Sequence, residues 1–301
     1  MPSTYTPLRY PGGKNALAGY LREVIKTNGL QNPSYVEPYC GGAGAALNLL
    51  FSEVVSDIYL NDIDLAIYSF WRFCTSDPEE LCNRIDNARF TLPEWDRQRA
   101  ILRRSRRASI ELAFSAFYLN RVNRSGILRG GVIGGRRQAG RWKMDARFNR
   151  EDLAAKVRLV ARRRHRIHVF RMDAADFLLK VVPAIQGPTF LYLDPPYVKK
   201  GQSLYENHYS EEDHARIAGI LRSHMQQPWV VSYDNCATVR RLYSGLDSVV
   251  YTLNYSAHQR NRDGREIIVF GPNVAAPRSR SPHRAPWSGV RLASASSHRR
   301  T

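Results

Sequence analysis

Five short apolar runs, separated by longer segments compatible with helices, constrain the fold of this chain more than any other feature. They cover residues 35–37, 58–60, 167–170, 189–193 and 229–233. Regular alternation of short strands with helices is typical of a mostly parallel sheet whose two faces are both covered. Two later runs, 249–253 and 266–270, flank a polar loop and predict an antiparallel pair. The sequence therefore predicts an α/β fold.

A glycine-rich turn at residues 39–44 follows the first run and leads into an apolar helix start. Glycines there let the backbone approach a ligand closely, but their spacing does not match the three-glycine dinucleotide pattern. The second run ends near Asp62, 20 residues after Gly42, where an acid can accept hydrogen bonds from ribose hydroxyls. These features predict an adenosine-bearing cofactor without phosphates. An ordinary strand-to-helix connection is the alternative.

An acidic side chain, two prolines and an aromatic ring, Asp194-Pro195-Pro196-Tyr197, directly follow the apolar run at 189–193. The prolines restrict φ and remove backbone donors, so hydrogen-bond acceptors dominate this segment. The Asp194 carboxylate and the Pro195 carbonyl can accept two N–H bonds, while Tyr197 can stack on a planar ring. The segment predicts a site for a planar ring that carries an amine. A plain strand end with a proline turn is the alternative.

Positive charge is concentrated in two parts of the chain. Residues 97–150 contain 15 Lys and Arg but only two acids, and residues 275–301 contain six Arg and no acid. Because the whole chain carries +18, the remainder is close to neutral. Such segregation is typical of a surface that binds phosphates, so the composition predicts a nucleic-acid substrate.

Length and composition argue against several classes of protein. With 301 residues, of which 43% are hydrophobic, the chain can form one sizeable core and a smaller inserted module. No run approaches the roughly 18 apolar residues of a membrane span, and the first residues have no signal-peptide pattern. The four cysteines show no CxxC spacing, so we expect neither a disulfide framework nor a zinc site. We expect a metal-free protein of the reducing cytoplasm.

Together these motifs resemble those of the DNA adenine N6-methyltransferases, in particular the Dam-like alpha group, in which the cofactor motif precedes the catalytic DPPY motif. The resemblance covers residues 8–270 and implies a Rossmann-like fold that uses S-adenosyl-L-methionine. Residues 194–197 would be catalytic, with Asp194 and Pro195 holding the target amine and Tyr197 stacking on the flipped base. The implied cofactor-binding residues are Tyr10, Lys14, Glu37, Gly42, Gly44, Asp62, Asp173 and Asp194. For Asp173, a helix N-cap is an equal alternative.

The resemblance also implies a division into domains. Residues 1–74 and 155–274 would form the catalytic domain, and residues 75–154 a mainly helical target-recognition domain with a small core of its own. We expect the basic tail, 275–301, to be disordered. The implied DNA-binding residues are Asn120, Arg121, Arg124, Ser125, Ile127 and Arg129. Arg129 is suited to read a guanine edge, although contact with phosphates alone is the alternative.

The implied activity is transfer of a methyl group to the exocyclic amine of a flipped adenine in double-stranded DNA. Family members carry aromatic or amide residues where this chain has Arg124 and Ser125, which argues against a GATC target. An N4-cytosine enzyme is an alternative, although that group more often has serine in place of Asp194. An RNA or protein-glutamine methyltransferase and an inactive DNA-binding protein are further alternatives. We expect association with the nucleoid through DNA, and the sequence does not indicate whether a restriction nuclease accompanies the protein.

Overall fold

A computed structural model describes residues 4–9, 17–198, 209–253, 264–277 and 290–293. Its strands are β1 (Ser34–Glu37), β2 (Ile58–Asn61), β3 (Ile167–Phe170), β4 (Thr189–Leu193), β5 (Trp229–Asp234), β6 (Ser248–Leu253), β7 (Gly264–Phe270) and β8 (Val290–Ala293). Its α-helices are α1 (Ala18–Thr27), α2 (Gly44–Phe51), α3 (Leu65–Ser76), α4 (Pro78–Asp86), α5 (Leu92–Arg104), α6 (Ile110–Val122), α7 (Arg150–Ala161), α8 (Ala174–Lys180), α9 (Glu211–Ser223) and α10 (Ala237–Leu242).

The strands form one sheet in the order β3-β2-β1-β4-β5-β7-β6-β8. The first five are parallel, while β7 runs antiparallel to β5 and to β6. This is the Rossmann-like arrangement with an antiparallel pair near one edge, and it confirms the predicted α/β fold. Chain connections leave the sheet in opposite directions from β1 and β4, so the carboxyl ends of these neighbouring strands are where a ligand crevice is expected.

The sheet is covered on both faces, which explains why its central strands are apolar without alternation. On β1, Tyr35 belongs to one hydrophobic cluster and Val36 to the other. The same division separates Phe190 from Leu191 on β4. Since successive side chains of a strand point to opposite faces, the two clusters are the two sides of the sheet.

The helices between β2 and β3 share a core with the sheet. Phe117 on α6 stacks on Phe70 of α3 with ring centroids 5.8 Å apart, and both belong to the cluster that contains Tyr35 of β1. The separate small core that we expected for residues 75–154 is therefore not seen. The reason is that α6 is buried along almost its whole length and has to be covered on several sides. The expected boundary at residue 155 falls inside α7, and the division into domains stays a prediction.

Residues in the basic tail pair with the sheet. Residues Val290–Ala293 form β8, which is antiparallel to β6, and the disorder expected for 275–301 stays a prediction. The sequence Val-Arg-Leu-Ala alternates in the manner of a strand, and the edge of β6 offers unpaired backbone groups for it to join. Ala275 also exchanges two hydrogen bonds with the side chain of Asn28. Residues 278–289 and 294–301 lie outside the described residues.

Within the described parts of the chain, no helix is long and apolar enough to cross a membrane. All four cysteines are buried free thiols.

Candidate active site

A cavity of about 950 Å³ opens at the carboxyl ends of β1, β2 and β4. It brings together many of the residues that the sequence singles out. These are Glu37, Gly42, Gly44, Asp62, Asp194, Pro195, Pro196, Tyr197, Arg121, Ser125 and Arg129. Tyr10 and Lys14 lie outside the described residues, so their expected contacts with the cofactor stay predictions.

A chain of hydrogen bonds orients the Asp194 carboxylate at the end of β4. Ser232 on β5 donates from its hydroxyl to Oδ1 of Asp194 at 2.9 Å. The hydroxyl of Tyr192 lies 2.8 Å from Ser232 Oγ, and because the single Ser232 proton is directed to Asp194, Tyr192 is the donor in this second bond. Tyr192 and Ser232 are both buried. These two hydrogen bonds therefore fix the orientation of the Asp194 carboxylate at the cavity wall.

The hydroxyl of Tyr197 and the backbone next to it are both hydrogen-bonded to acidic side chains. The hydroxyl donates to Oε1 of Glu266 on β7 at 2.6 Å, and the next backbone N–H, of Val198, donates to Oδ1 of Asp234 at 3.0 Å. Neither acid was among the residues that we expected in the site. Each stands at the end of an apolar strand segment, which is the one sequence signal that could have indicated them.

The glycine-rich turn is fixed to the second strand by Asp62. The backbone N–H groups of Gly41 and Asp64 donate to the two carboxylate oxygens of Asp62, both at 3.0 Å. Gly41 and Ala43 have φ of +44° and +47°, a left-handed conformation that is tight for alanine. The indole N–H of Trp71 donates to the Gly41 carbonyl at 2.8 Å. The turn is thus a preformed backbone surface along the cavity.

Two carboxyl groups in this part of the cavity are held at unusual pKa values. Glu37 accepts a hydrogen bond from Tyr35 at 2.9 Å. Burial nevertheless raises the pKa of Glu37 to about 8. Burial, together with the nearby Asp64 carboxylate, raises the pKa of Asp62 to about 7. Both groups would be stabilised as anions by a positively charged ligand.

The opposite rim of the cavity is basic. Arg121 on α6 donates to the backbone carbonyls of Arg147 and Pro7 at 2.9 and 3.3 Å. Burial and the neighbouring Arg9 lower the pKa of Arg121 to about 10, and burial and Arg147 lower the pKa of Arg9. The other basic residues that line the cavity are Arg103, Arg106, Arg129, Lys156 and Arg171. Guanidinium groups that repel one another in this way favour binding of an anion.

A family model for D12 class N6 adenine-specific DNA methyltransferases matches residues 10–261. The chain belongs to this family. The match confirms the resemblance seen in the sequence, and the substrate of this methyltransferase is accordingly adenine in DNA.

Two solved structures resemble this methyltransferase at low sequence identity. The 1.5 Å structure of the rRNA methyltransferase aviRa from Streptomyces viridochromogenes has a TM-score of 0.41 and 13% identity, over 85% of this chain and 83% of that chain. Protein LPL1258 from Legionella pneumophila has a TM-score of 0.34 and 11% identity, over 89% of this chain and 86% of that chain. Among curated proteins, none matches significantly. The assignment therefore rests on the family match and on the strand order.

The DNA-binding residues expected for the methyltransferase occupy two different environments. Arg124, Ser125 and Arg129 are exposed, and Ser125 and Arg129 line the mouth of the cavity. Asn120, in contrast, is fully buried. Its side chain accepts from the backbone N–H of Arg9 at 2.7 Å and donates to the Arg9 carbonyl at 2.6 Å. A buried amide must be hydrogen-bonded, and Asn120 therefore positions the segment at Arg9 rather than facing DNA.

Two further expected site residues do not reach the cavity. Ile127 is half-buried beside the short 3-10 turn at Arg124–Gly126. Asp173 caps α8 by accepting from the backbone N–H groups of Ala175 and Asp176 at 3.0 and 3.4 Å. Asp173 is therefore an N-cap and is not among the residues that line the cavity, and its expected contact with the cofactor stays a prediction. In the part of the chain that the structure describes, no cluster of three His, Cys, Asp or Glu residues is arranged to hold a metal ion.

Proposed function

We propose that the cavity binds S-adenosyl-L-methionine against its acidic floor and receives an adenine, flipped out of duplex DNA, against residues 194–197. The observation that carries the proposal is the separation of charge within one cavity. Glu37, Asp62 and Asp194 lie on the floor, formed by the ends of β1, β2 and β4, whereas most of the basic residues lie on the rim formed by the inserted helices and loops. Arg9 lies in the N-terminal segment, and Arg171, which directly follows β3, is the basic residue on the floor side.

The floor fits a cofactor that is positively charged and free of phosphates. A dinucleotide would bring its pyrophosphate towards three carboxyl groups, which is unfavourable in a partly buried site. The sulfonium and ammonium groups of S-adenosyl-L-methionine would instead favour the ionised forms of Glu37 and Asp62, whose pKa values burial has raised. In its bound form this cofactor supplies a methyl group that is already activated for transfer. Gly42 and Gly44 would line its path by close backbone approach.

Asp194 and Pro195 would hold the exocyclic amine of the target base. The lone pair of that amine is delocalised into the ring, so it is a weak nucleophile. Hydrogen bonds from the amine to the Asp194 carboxylate and the Pro195 carbonyl would favour the tetrahedral geometry and stabilise the positive charge that develops on nitrogen. The hydrogen bond from Ser232 keeps the carboxylate turned for this purpose. Positioning is then the main task of the protein.

Access to the amine requires the base to leave the helix. The N6 edge of adenine is enclosed in a stacked duplex, and extrusion of the base costs a few kcal/mol. Tyr197 would recover part of that cost by stacking on the flipped ring. The rim arginines would hold the flanking phosphates, and Arg129 and Ser125 would lie where base edges beside the target can be read.

Replacement of Asp194 by asparagine tests the proposal. The amide keeps the shape of the side chain but places an N–H₂ donor beside the target amine, so methyl transfer should be lost while DNA binding survives. The measurement is transfer of a radiolabelled methyl group to DNA, with the modified base identified by mass spectrometry and DNA affinity measured in parallel. Asp176→Asn is the matched control, because Asp176 lies on α8 outside the cavity and should not affect transfer.

Each outcome of this experiment is decisive. N6-methyladenine from the wild-type protein and none from Asp194→Asn would support the proposed role of the carboxylate. Full transfer by Asp194→Asn would refute it. N4-methylcytosine as the product would replace adenine by cytosine as the target base.

A further inference from the structure

Two buried acids lie directly behind the proline-rich loop of the active site. Glu266 on β7 and Asp234 on β5 are opposite one another in the antiparallel ladder and are 2% and 7% exposed. Tyr251 on β6 lies opposite Glu266 on its other side. Directly opposed residues point to the same face of a sheet, so these three side chains form a row across β5, β7 and β6.

Glu266 receives one tyrosine hydroxyl on each carboxylate oxygen. Tyr197 donates to Oε1 and Tyr251 donates to Oε2, both at 2.6 Å. Two donors on one carboxyl group fit its ionised form, which only accepts, and the distances are those of charge-assisted O–H···O⁻ bonds. The negative charge of Glu266 is therefore used to hold the Tyr197 hydroxyl.

The loop is also held through its main chain. Asp234 accepts the backbone N–H of Val198, the residue after Tyr197, at 3.0 Å. With its backbone tied to β5 and its hydroxyl oxygen tied to β7, the Tyr197 side chain cannot swing about χ1. Because a phenol O–H prefers to lie in the plane of its ring, the bond to Glu266 also favours one ring plane about χ2. The strand that carries Glu266 is itself paired on both sides, so the anchor is rigid.

We propose that Glu266 is a positioning residue, which fixes the plane of the Tyr197 ring before the flipped base arrives, with Tyr251 as its second donor. This inference rests on the proposed function of the cavity. A ring that is already oriented does not have to be ordered when the base binds, and a stacked base is held closer to the reacting geometry. The expected consequence is a defect in the chemical step and in stacking, while binding of DNA at the rim is unaffected.

The test is a double-mutant cycle between Glu266→Gln and Tyr197→Phe. Phenylalanine keeps the stacking ring but lacks the hydroxyl, and glutamine keeps the shape of Glu266 but lacks its charge. We expect each variant to lower kcat about tenfold, as the loss of one charge-assisted hydrogen bond would do, with KM for DNA nearly unchanged. Because both substitutions remove the same interaction, the double variant should be no slower than the slower single variant.

A fluorescent base in place of the target adenine gives a second readout. 2-Aminopurine becomes bright when it leaves the stack and is quenched again when it stacks on an aromatic ring. Wild type should show a rise followed by quenching, and both single variants should show the rise with less quenching. Glu53→Gln is the control, because Glu53 likewise has a donor on each carboxylate oxygen, from Arg163 and Arg166, but lies before the amino end of β2, away from the cavity. Its kcat and fluorescence should equal those of wild type.

Tyr197→Phe keeps the inference testable even if Glu266→Gln fails to fold, because only a hydroxyl is removed from a half-buried ring. Wild-type kcat and quenching in Tyr197→Phe would overturn the inference, as would multiplicative losses in the double variant. If the wild-type protein transfers no methyl group to adenine, the proposed function fails instead. The two failures are thus distinguishable.

Discussion

Replacing Ser232 by alanine should show how much of the rate of methyl transfer depends on the orientation of Asp194, because the carboxylate is kept but loses the hydrogen bond that orients it. The substitution deletes a donor to Oδ1 of Asp194 and an acceptor of the Tyr192 hydroxyl, at a position with no solvent exposure. A hydrogen bond to a charged group contributes about 1.5–3 kcal/mol. Since about 1.4 kcal/mol in the transition state corresponds to a tenfold change in rate, we expect kcat to fall by about 10- to 100-fold.

The assay is single-turnover methyl transfer, which reports the chemical step without product release, together with cofactor and DNA affinities. Both affinities should stay near the wild-type values, because Ser232 does not line the cavity. Tyr192→Phe is the graded control. It removes the outer bond of the chain and leaves the bond from Ser232 to Asp194, so its effect on the rate should be much smaller. A Ser232→Ala rate within about twofold of wild type, or an equally large effect of Tyr192→Phe, would refute the argument.

Three other predictions concern the supports of the cavity. Gly126→Ala should destabilise the fold by more than about 1 kcal/mol, because φ is +77° and the new Cβ would clash with the backbone oxygen of Arg9. Gly187→Ala is the control, because φ there is +80° but the new Cβ would have no atom within 4 Å, so only backbone strain is added. Thermal unfolding should show a smaller loss of stability for Gly187→Ala than for Gly126→Ala. Arg147→Ala should weaken binding to all DNA sequences alike and reduce the salt slope by about one unit, and a change in sequence preference would contradict this. Because folding raises the pKa of Asp62 to about 7 and of Glu37 to about 8, the folded state binds protons more tightly than the unfolded state. Stability of the ligand-free protein should therefore fall as pH rises from about 4 to about 8, as chemical denaturation at several pH values would show.

The features that were predictable from sequence are local in the chain. The strand at 189–193 and the Asp194-Pro195-Pro196-Tyr197 segment are adjacent, so an apolar run followed by special residues was enough to indicate them. The mostly parallel sheet followed from the alternation of elements, and the antiparallel pair followed from the two apolar runs that flank a polar loop, whereas the strand order was not predicted. For Asp173 the local pattern left two alternatives; the structure shows the N-cap, which depends only on the next three residues, and the contact with the cofactor stays a prediction.

The features that were missed depend on contacts between distant segments. Asn120 belongs to a motif in which DNA-facing residues are expected, but its burial is set by Arg9, 111 residues earlier in the chain. Glu266 reaches Tyr197 across 69 residues and only through the pairing of β7 with β5. No local pattern encodes either contact, because each requires the register of the sheet or the packing of the N-terminal segment to be known.

The segregation of charge in the cavity bears on how a base enters it. In the proposed complex, phosphates would be attracted to the rim by Arg9, Arg121 and Arg147. They would be repelled by the floor once the positively charged cofactor has favoured the ionised forms of Glu37 and Asp62. A DNA backbone is therefore favoured at the rim and disfavoured at the floor, where only the uncharged base can approach Asp194. Under the proposed function, this arrangement would favour a bound duplex with one base extended inwards. Reversing the charge of the rim should consequently abolish extrusion of the base as well as binding, whereas neutralising Asp62 should leave both intact and affect only the cofactor.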